Sequence, residues 1–394
     1  MVDRKIDIKQ KFFAFGDLKA NVVEFDSWSI VGHRSIDSQG RIQLQFLIFY
    51  FHMETEPLPS ILAAHQKARW KTNQDGIWTL DGSRIDEIPA RSILTTLWDQ
   101  PRWLEAYHLY DRRGSELFEQ ICQLPEYYLT RTENSILEEK AARIIAAAPV
   151  ECIVELGAGY SKKTIHLLTE QLRQRDKGIF APIDVSESGL LASREAVARD
   201  FPRLEFHGLQ ARYEDGFTSI EQAVPTLFVF LGSTVGNFNH SDFPRFFRAL
   251  SEAMGPNDYL LLGADRIKDS ALLEQAYNDS QGLTAEFILN VFCHINELLE
   301  SDFDLAKMRY QVRFNSEWQQ IEMYAIATQD HRVNFPTVET SFDWQKTEKI
   351  LVEISRKFDP QRLQEQLRFF DLLPIEHFTD PNQWFSVLLF RKQD

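Results

Sequence analysis

The sequence predicts an α/β fold in which an open parallel sheet is covered by helices on both faces. Between residues 150 and 266, short apolar runs alternate with longer amphipathic stretches, a pattern typical of successive βαβ units. The first run, Cys152–Leu156, ends in a glycine turn, Gly157-Ala158-Gly159, directly before a helix-forming stretch. Open α/β sheets bind their ligands at such strand ends, so the turn also predicts a binding site.

The remaining elements follow in a regular order. We expect strands at Phe180–Val185, Leu204–Leu209, Pro225–Leu231 and Asp258–Gly263, and helices at Thr164–Gln174, Ser188–Arg199 and Asp242–Ala253. Between 267 and 357 helices come first and strands such as Gln320–Ala327 follow, which indicates an insertion. The last apolar run, Trp384–Phe390, predicts a final strand at the edge of the sheet.

The segment before the sheet has two parts. Residues 1–88 contain alternating apolar and polar residues, as in Ile42–Phe46, and Asp-Gly turns, so we expect a β-rich N-terminal extension of unknown role. From about 90 to 148 the pattern is helical.

Composition excludes several classes of function. The formal net charge of −15 argues against partners that require a basic footprint, namely nucleic acids and anionic membrane surfaces. Three cysteines without a C-x-x-C pair, and an N-terminus without an apolar signal segment, predict a protein of the reducing cytoplasm. The sequence predicts no metal site.

The glycine turn is compatible with two cofactors. The dinucleotide fingerprint G-x-G-x-x-G requires a third glycine, and Lys162 stands at that position. Glu155 suits S-adenosylmethionine instead, because its carboxylate can face the cofactor's ammonium group while Gly157 and Gly159 leave room for the amino-acid tail. Asp184 closes the next predicted strand and is placed for the ribose hydroxyls. An ordinary βα turn without a ligand is the alternative.

Longer motifs extend through the chain from residue 110 onward. They are Tyr110–Phe118, Leu124–Glu133, Gly232–Phe238, Tyr277–Phe287, Ile321–Met323 and Glu353–Phe358. Together they resemble the histidine-specific Nα-methyltransferase family, the S-adenosylmethionine-dependent enzymes that form hercynine in ergothioneine biosynthesis. The resemblance covers about residues 90 to 394.

The resemblance implies a class I methyltransferase (Rossmann-like) sheet with an inserted substrate-binding cap lobe. The cap would consist of residues 89–135 and 267–357, and the methyltransferase core of residues 136–266 and 358–394. Residues 1–88 lie outside the resemblance.

The substrate site implied by the family lies between cap and sheet. Tyr110 and Asn237 are the implied catalytic residues, Tyr110 near the reacting amine and the cofactor. Asn237 and Tyr277 would anchor the substrate carboxylate through their hydrogen-bond donors. Tyr127 and Met323 would line the side-chain pocket.

Glu353 and Ser355 carry the prediction of the substrate. They alternate along one predicted strand and so face the same side, where a carboxylate and a hydroxyl can hold both imidazole nitrogens. Such a pocket favours histidine over tryptophan or tyrosine. In the alternative interpretation Glu353 is a solvated partner of Arg356 or Lys357.

For the cofactor, the family implies Gly157, Lys163 and Asp184, with Lys163 placed to pair with the cofactor carboxylate. The loop that includes Arg212 and Tyr213 should recognise adenine, but Arg212 stands where we expect an aspartate. Arginine cannot accept a hydrogen bond from the adenine amino group, so backbone groups or Glu214 would replace it.

These expectations describe an enzyme that methylates the α-amino group of L-histidine three times. Three alternatives remain at this stage. The chain could methylate another amino acid or an indole-type amine, it could be a non-catalytic metabolite-binding module, or it could be a nucleotide-linked dehydrogenase, which the missing third glycine disfavours.

Overall fold

The protein divides into two compact units, Met1–Leu58 and Pro59–Asp394. The structure, a computed structural model, describes residues 10–15, 18–25, 28–36, 42–50, 70–72, 77–80, 88–159, 161–220 and 224–393. No helix in this part of the chain is long and apolar enough to cross a membrane.

The first unit is an antiparallel sheet, as the alternating pattern predicted. Its strands are β1 (Gln10–Phe15), β2 (Leu18–Phe25), β3 (Trp28–Ile36) and β4 (Ile42–Tyr50), and each pairs with the next along the chain. Most of the rest of the predicted extension, including residues 51–69, 73–76 and 81–87, lies outside the described residues.

The second unit contains the remaining strands and all the described helices. The strands are β5 (Trp70–Thr72), β6 (Trp78–Leu80), β7 (Arg102–Trp103), β8 (Cys152–Leu156), β9 (Gly178–Asp184), β10 (Leu204–Phe206), β11 (Leu209–Gln210), β12 (Thr226–Phe230), β13 (Tyr259–Asp265), β14 (Met308–Asn315), β15 (Gln320–Ala327), β16 (His331–Phe335), β17 (Thr340–Trp344), β18 (Lys349–Arg356), β19 (Leu372–Thr379) and β20 (Phe385–Lys392). The helices are α1 (Ile88–Trp98), α2 (Arg112–Ile121), α3 (Tyr128–Ala147), α4 (Ile165–Gln174), α5 (Glu187–Asp200), α6 (Tyr213–Phe217), α7 (Asp242–Ala253), α8 (Ser270–Ala276), α9 (Leu283–Leu299) and α10 (Pro360–Arg368).

A ten-stranded sheet forms the core of this unit, in the order β19-β20-β13-β12-β8-β9-β11-β6-β5 with β10 paired to β9. The strands from β13 to β6 run parallel, which confirms the predicted α/β fold. The central strands β8 and β12 are buried along their whole length, because helices cover both faces of a parallel sheet.

The last strand does not lie at the edge of the sheet, and that prediction was wrong. Strand β20 pairs with β13 on one side and with β19 on the other, so β19 is the edge. The residue pattern accounts for this order. The first six residues of β20 are buried, as in an interior strand, whereas β19 contains Pro374 and only Leu372 and Phe378 of its eight residues are buried, as expected of an edge strand.

The sheet begins earlier in the chain than the boundary at residue 88 that the sequence suggested. Strand β6 pairs in parallel with β11, with Trp78 opposite Leu209, and β5 pairs antiparallel with β6. The side chains of Trp70, Ile77 and Trp78 are buried. These two short strands therefore belong to the large sheet rather than to the N-terminal one.

A second, four-stranded sheet joins the two segments from which we predicted a cap. Its order is β14-β15-β18-β7, and β7 comes from the segment 89–135 whereas the other three come from the insertion 267–357. Ile350 lies opposite Arg102 in the parallel pair β18–β7. Helix α2 of the first segment also packs against α9 of the second.

Candidate active site

The glycine turn after β8 has the backbone conformation that only glycine adopts readily. Gly157 and Gly159 have φ angles of 73° and 48°. A Cβ atom at Gly157 would lie 2.7 Å from the hydroxyl oxygen of Tyr213, so this glycine also allows a close approach. The N–H of Gly159 donates to Oδ2 of Asp184 over 2.8 Å, which connects the turn to the end of β9.

Glu155 lies at the centre of this strand end and is almost fully buried. Burial raises the pKa of its carboxyl group to about 7, although a hydrogen bond from the Thr164 hydroxyl acts in the opposite direction. Its Oε2 atom is buried and has no hydrogen-bond partner among the described residues. A buried, unpaired carboxylate oxygen is costly, so the site is suited to a ligand that brings a donor.

We call the four-stranded sheet β14-β15-β18-β7 the small sheet and the ten-stranded sheet the large sheet. The second half of the site lies where β18 of the small sheet meets the 3₁₀ helix Thr234–Asn237, which follows β12 of the large sheet. The Nδ2 atom of Asn237 donates to Oε1 of Glu353 over 2.9 Å. Burial raises the pKa of Glu353 to about 8, while the bond from Asn237 and the charge of Lys357 lower it. Glu353 is therefore a buried acceptor and not a solvated partner of Arg356 or Lys357.

Ser355 and Tyr277 form the next part of the same pocket. Ser355 Oγ lies 2.9 Å from Tyr277 Oη, and both side chains are buried. Met323 of β15 lies directly opposite Glu353 in the antiparallel pair, so the two side chains share one face of the small sheet. The predicted imidazole-binding residues and the predicted carboxylate anchor therefore lie side by side.

Aromatic rings close the pocket. The Tyr127 ring lies 5.8 Å from that of Tyr277, and the Tyr110 ring lies 5.6 Å from Phe118 and 5.7 Å from Phe287. Burial raises the pKa of Tyr110 and of Tyr127 well above the usual value, so both remain neutral phenols.

Tyr110 connects the two halves of the site. After burial, the charges of Glu353, on the pocket side, and of Asp184, on the glycine-turn side, raise its pKa further. Tyr110 therefore lies within electrostatic range of both the strand end and the polar pocket.

Comparison with known proteins identifies the family. A family model described as "Histidine-specific methyltransferase, SAM-dependent" matches residues 89–392. A histidine N-alpha-methyltransferase of Mycobacterium tuberculosis is 39% identical over 77% of this chain and 94% of its own length, and one of Mycolicibacterium smegmatis is 36% identical over the same shares. The ergothioneine biosynthesis protein 1 of Neurospora crassa is 36% identical over 54% of this chain and 25% of its own length.

The chain belongs to the histidine-specific, S-adenosylmethionine-dependent methyltransferase family. The resemblance drawn from the motifs is confirmed, and S-adenosylmethionine is the cofactor. The glycine turn fits this cofactor of the family, because Glu155 offers an unpaired buried oxygen and a Cβ atom at Gly159 would meet no atom within 4 Å, so the turn has open space on that side.

Two predicted cofactor residues of this methyltransferase have partners of their own. The Nζ atom of Lys163 pairs with the fully buried Glu133, which also accepts the N–H of Gly232 over 2.8 Å. A lysine ammonium has three donors, so two remain for a ligand. The guanidinium of Arg212 lies 5.2 Å from the centre of the Tyr107 ring.

Behind the pocket lies a buried charge cluster that the sequence did not predict, formed by Tyr128, Asp265, Lys268 and Lys357. The Tyr128 hydroxyl donates to Asp265 over 2.8 Å, and Lys268 and Lys357 both pair with the same carboxylate. One signal was available for Lys357. Alternation along an extended strand places residues 353, 355 and 357 on one face, and only the first two entered the prediction.

Proposed function

We propose that this chain transfers methyl groups from S-adenosylmethionine to the α-amino group of L-histidine, three times in succession, to form hercynine. The family and the cofactor support the proposal, as do the names of the two mycobacterial relatives. The single observation that carries the substrate assignment is the buried carboxylate of Glu353, next to the Ser355 hydroxyl on one strand.

The polar pocket matches the two ring nitrogens of a neutral imidazole. An ionised Glu353 accepts a hydrogen bond from one ring N–H, and the Ser355 hydroxyl donates to the other nitrogen. Because burial raises the pKa of Glu353 to about 8, the ring N–H compensates a carboxylate that is otherwise costly to ionise. An apolar ring would leave the Glu353 carboxylate and the Ser355 hydroxyl without hydrogen bonds, so the pocket discriminates strongly against substrates with such a ring.

The other residues orient the reacting amine. The Asn237 amide has two N–H donors, one of which is used by Glu353, so the second is available for the substrate carboxylate together with Tyr277. Tyr110 and Tyr127 are neutral and can hold the amine by hydrogen bonds without a charge of their own. S-adenosylmethionine supplies an electrophilic methyl group, and the chain's residues contribute alignment and the exclusion of water.

The decisive experiment offers a panel of amino acids and indole-type amines with labelled S-adenosylmethionine. We expect L-histidine to be the preferred acceptor and its trimethylated product to accumulate. If the protein prefers another amino acid or an indole-type amine, that compound class is the substrate. If it transfers no methyl group to any compound of the panel, a non-catalytic binding module is favoured.

Glu353→Ala provides the matching test of the pocket. We expect it to lose most histidine turnover while S-adenosylhomocysteine binding, measured by calorimetry, stays at the wild-type level. Full turnover of histidine by this variant would overturn the role of Glu353.

A cytoplasmic location, the absence of nucleic-acid partners and the division into cap and core remain proposals that rest on the sequence. The sparse, unpaired cysteines and the net charge of −15 support the first two. The joint sheet of β7 and β18 supports the third.

A further inference from the structure

Lys357 is a fully buried lysine directly behind the substrate pocket, and the proposed function does not use it. Its Nζ atom lies 2.8 Å from Tyr277 Oη, 2.9 Å from Ser355 Oγ and 2.9 Å from Asp265 Oδ2. An ammonium group has three N–H donors and no acceptor, so each donor faces one oxygen. Lys357 therefore has no donor left for a ligand and can act on one only through its partners.

The lysine determines the direction of the hydrogen bonds around it. Since an ammonium only donates, Tyr277 Oη and Ser355 Oγ are both acceptors toward Lys357, and each hydroxyl keeps its own proton. Without a ligand, one hydroxyl donates to the other across their 2.9 Å separation. With a ligand, Lys357 still satisfies both oxygens, so both protons are available for acceptors in the pocket.

The charge of Lys357 acts in the same direction. Asp265 and Lys357 are both fully buried, and Asp265 also pairs with Lys268, so two ammonium groups face one carboxylate. Burial lowers the pKa of Lys268 to about 8, which still leaves it largely charged at pH 7. The positive charge of Lys357, which contacts both hydroxyls, favours an anionic or lone-pair acceptor beside Tyr277 and Ser355 and disfavours a further N–H donor there, whereas Lys268 contacts Tyr128 and Asp265 instead.

We propose that Lys357 is a positioning residue that makes the Tyr277 and Ser355 hydroxyls hydrogen-bond donors toward the substrate. The end of the pocket formed by Tyr277 and Ser355 then binds the substrate carboxylate and the unprotonated ring nitrogen. At the other end, Glu353 accepts a hydrogen bond from the ring N–H. The substrate class is an α-amino acid whose side chain is a neutral azole with one donor and one acceptor. This inference rests on the proposed function and specifies the tautomer and the charge state that the site selects.

The test compares Lys357→Met with Lys268→Met, which removes a second buried lysine from the same carboxylate without touching either hydroxyl. Histidine turnover and S-adenosylhomocysteine affinity are measured for both variants. We expect Lys357→Met to raise the histidine KM at least tenfold, Lys268→Met to change it less than threefold, and both to bind S-adenosylhomocysteine as the wild type does.

Two further measurements distinguish an effect on the Tyr277 and Ser355 hydroxyls from a general loss of activity or stability. The ratio of kcat/KM for histidine to that for β-(2-thienyl)alanine, whose ring offers neither donor nor acceptor, should fall at least tenfold in Lys357→Met. In a Tyr277→Phe, Ser355→Ala background, Lys357→Met should change the histidine KM less than threefold, because the groups through which it acts are gone. An unchanged ratio, or fully additive effects, would overturn the inference.

Lys357→Gln is the second variant, to be measured in case Lys357→Met does not fold. Its amide lacks the charge and has a carbonyl acceptor that can take the proton of one hydroxyl, so we expect a histidine KM between those of the wild type and of a Tyr277→Phe, Ser355→Ala protein. A wild-type KM in Lys357→Gln would contradict the inference. If the wild type itself fails to methylate histidine, the proposed function is wrong, whereas wild-type turnover with unaffected Lys357 variants rejects only the role of Lys357.

Discussion

At the scale of single residues, Glu353 shows how a functional group can oppose the stability of the fold. Its carboxyl group is buried, and its pKa of about 8 reflects the cost of ionisation in that position. Asn237 offsets part of the cost with a hydrogen bond of 2.9 Å. In the proposed function, a ring N–H of the substrate would offset a further part of this cost.

Glu353→Gln should stabilise the ligand-free protein at alkaline pH. In the folded wild type the carboxyl group of Glu353 has a pKa of about 8, against 4.5 for the ordinary group in the unfolded chain. Between these two pH values the folded state binds more protons than the unfolded state, so the stability of the wild type falls as pH rises. Each tenfold change in proton affinity corresponds to ~1.4 kcal/mol. We expect the melting temperature of the variant to exceed that of the wild type by several degrees at pH 9.

The control for this prediction is pH 4.5, where the carboxyl group is largely protonated in the folded wild type and the two proteins should differ much less. Differential scanning calorimetry measures the difference in melting temperature between the two proteins. A difference that does not widen between pH 4.5 and 8 would contradict the raised pKa of Glu353.

Asn237→Ala should weaken histidine binding specifically. It removes one donor to Glu353 and, in the proposed function, one donor to the substrate carboxylate. Hydrogen bonds to charged groups contribute about 1.5–3 kcal/mol, so we expect the histidine KM to rise roughly tenfold or more. Steady-state kinetics at saturating cofactor measure it, and an unchanged KM would remove Asn237 from the carboxylate site.

At the scale of elements, the site depends on the contact between β18 and the 3₁₀ helix Thr234–Asn237. A Cβ atom at Gly236 would lie 2.8 Å from the Arg356 carbonyl oxygen and 3.1 Å from its nitrogen, so only glycine permits this approach. The backbone N–H of Phe358 also donates to the Asp265 carbonyl oxygen over 2.9 Å, which joins the end of β13 to the chain beyond β18. The small sheet is therefore attached to the large one at the pocket itself.

Gly236→Ala should separate these two elements by a few tenths of an ångström or more. Because Asn237 is the next residue, we expect its contact with Glu353 to lengthen and the histidine KM to rise at least fivefold, while S-adenosylhomocysteine still binds. Gly282→Ala controls for backbone strain alone, since its φ of 76° disfavours alanine but nothing lies within 4 Å of the added atom, so we expect it to lower stability without raising the histidine KM. A Gly236→Ala protein with wild-type kinetics would show that the close approach of Gly236 to the Arg356 backbone is not needed for activity.

At the scale of the whole molecule, the chain combines an antiparallel N-terminal sheet with a methyltransferase unit that starts at Pro59. The second unit includes β5 and β6, which extend the ten-stranded sheet beyond β11. Their buried residues Trp70, Ile77 and Trp78 make these strands part of the hydrophobic core of that unit. The structural boundary therefore precedes the start of the family match at residue 89.

Two truncations should behave differently for this reason. Removal of residues 1–58 should leave the thermal stability of the second unit and its histidine turnover close to those of the full chain. Removal of residues 1–87 should lower the melting temperature clearly, since burial of each large apolar side chain contributes about 1.5–3 kcal/mol. Equal melting temperatures of the two truncated proteins would show that β5 and β6 are dispensable.

The fold class, the cofactor and the family could all be predicted from the amino-acid sequence. Strand β15 and helix α7 have the predicted bounds, and the Glu155–Gly159 turn was identified, because hydrophobic period, glycine turns and contiguous motifs are local properties of a chain.

The way in which distant segments of the chain meet could be seen only in the folded protein. It placed β20 inside the sheet, joined β5 and β6 to it, paired Lys163 with Glu133, and brought Asp265 and Lys357, which are far apart in sequence, to one buried cluster. Strand order and buried ion pairs depend on which surfaces pack together, and no local pattern of residues records that choice.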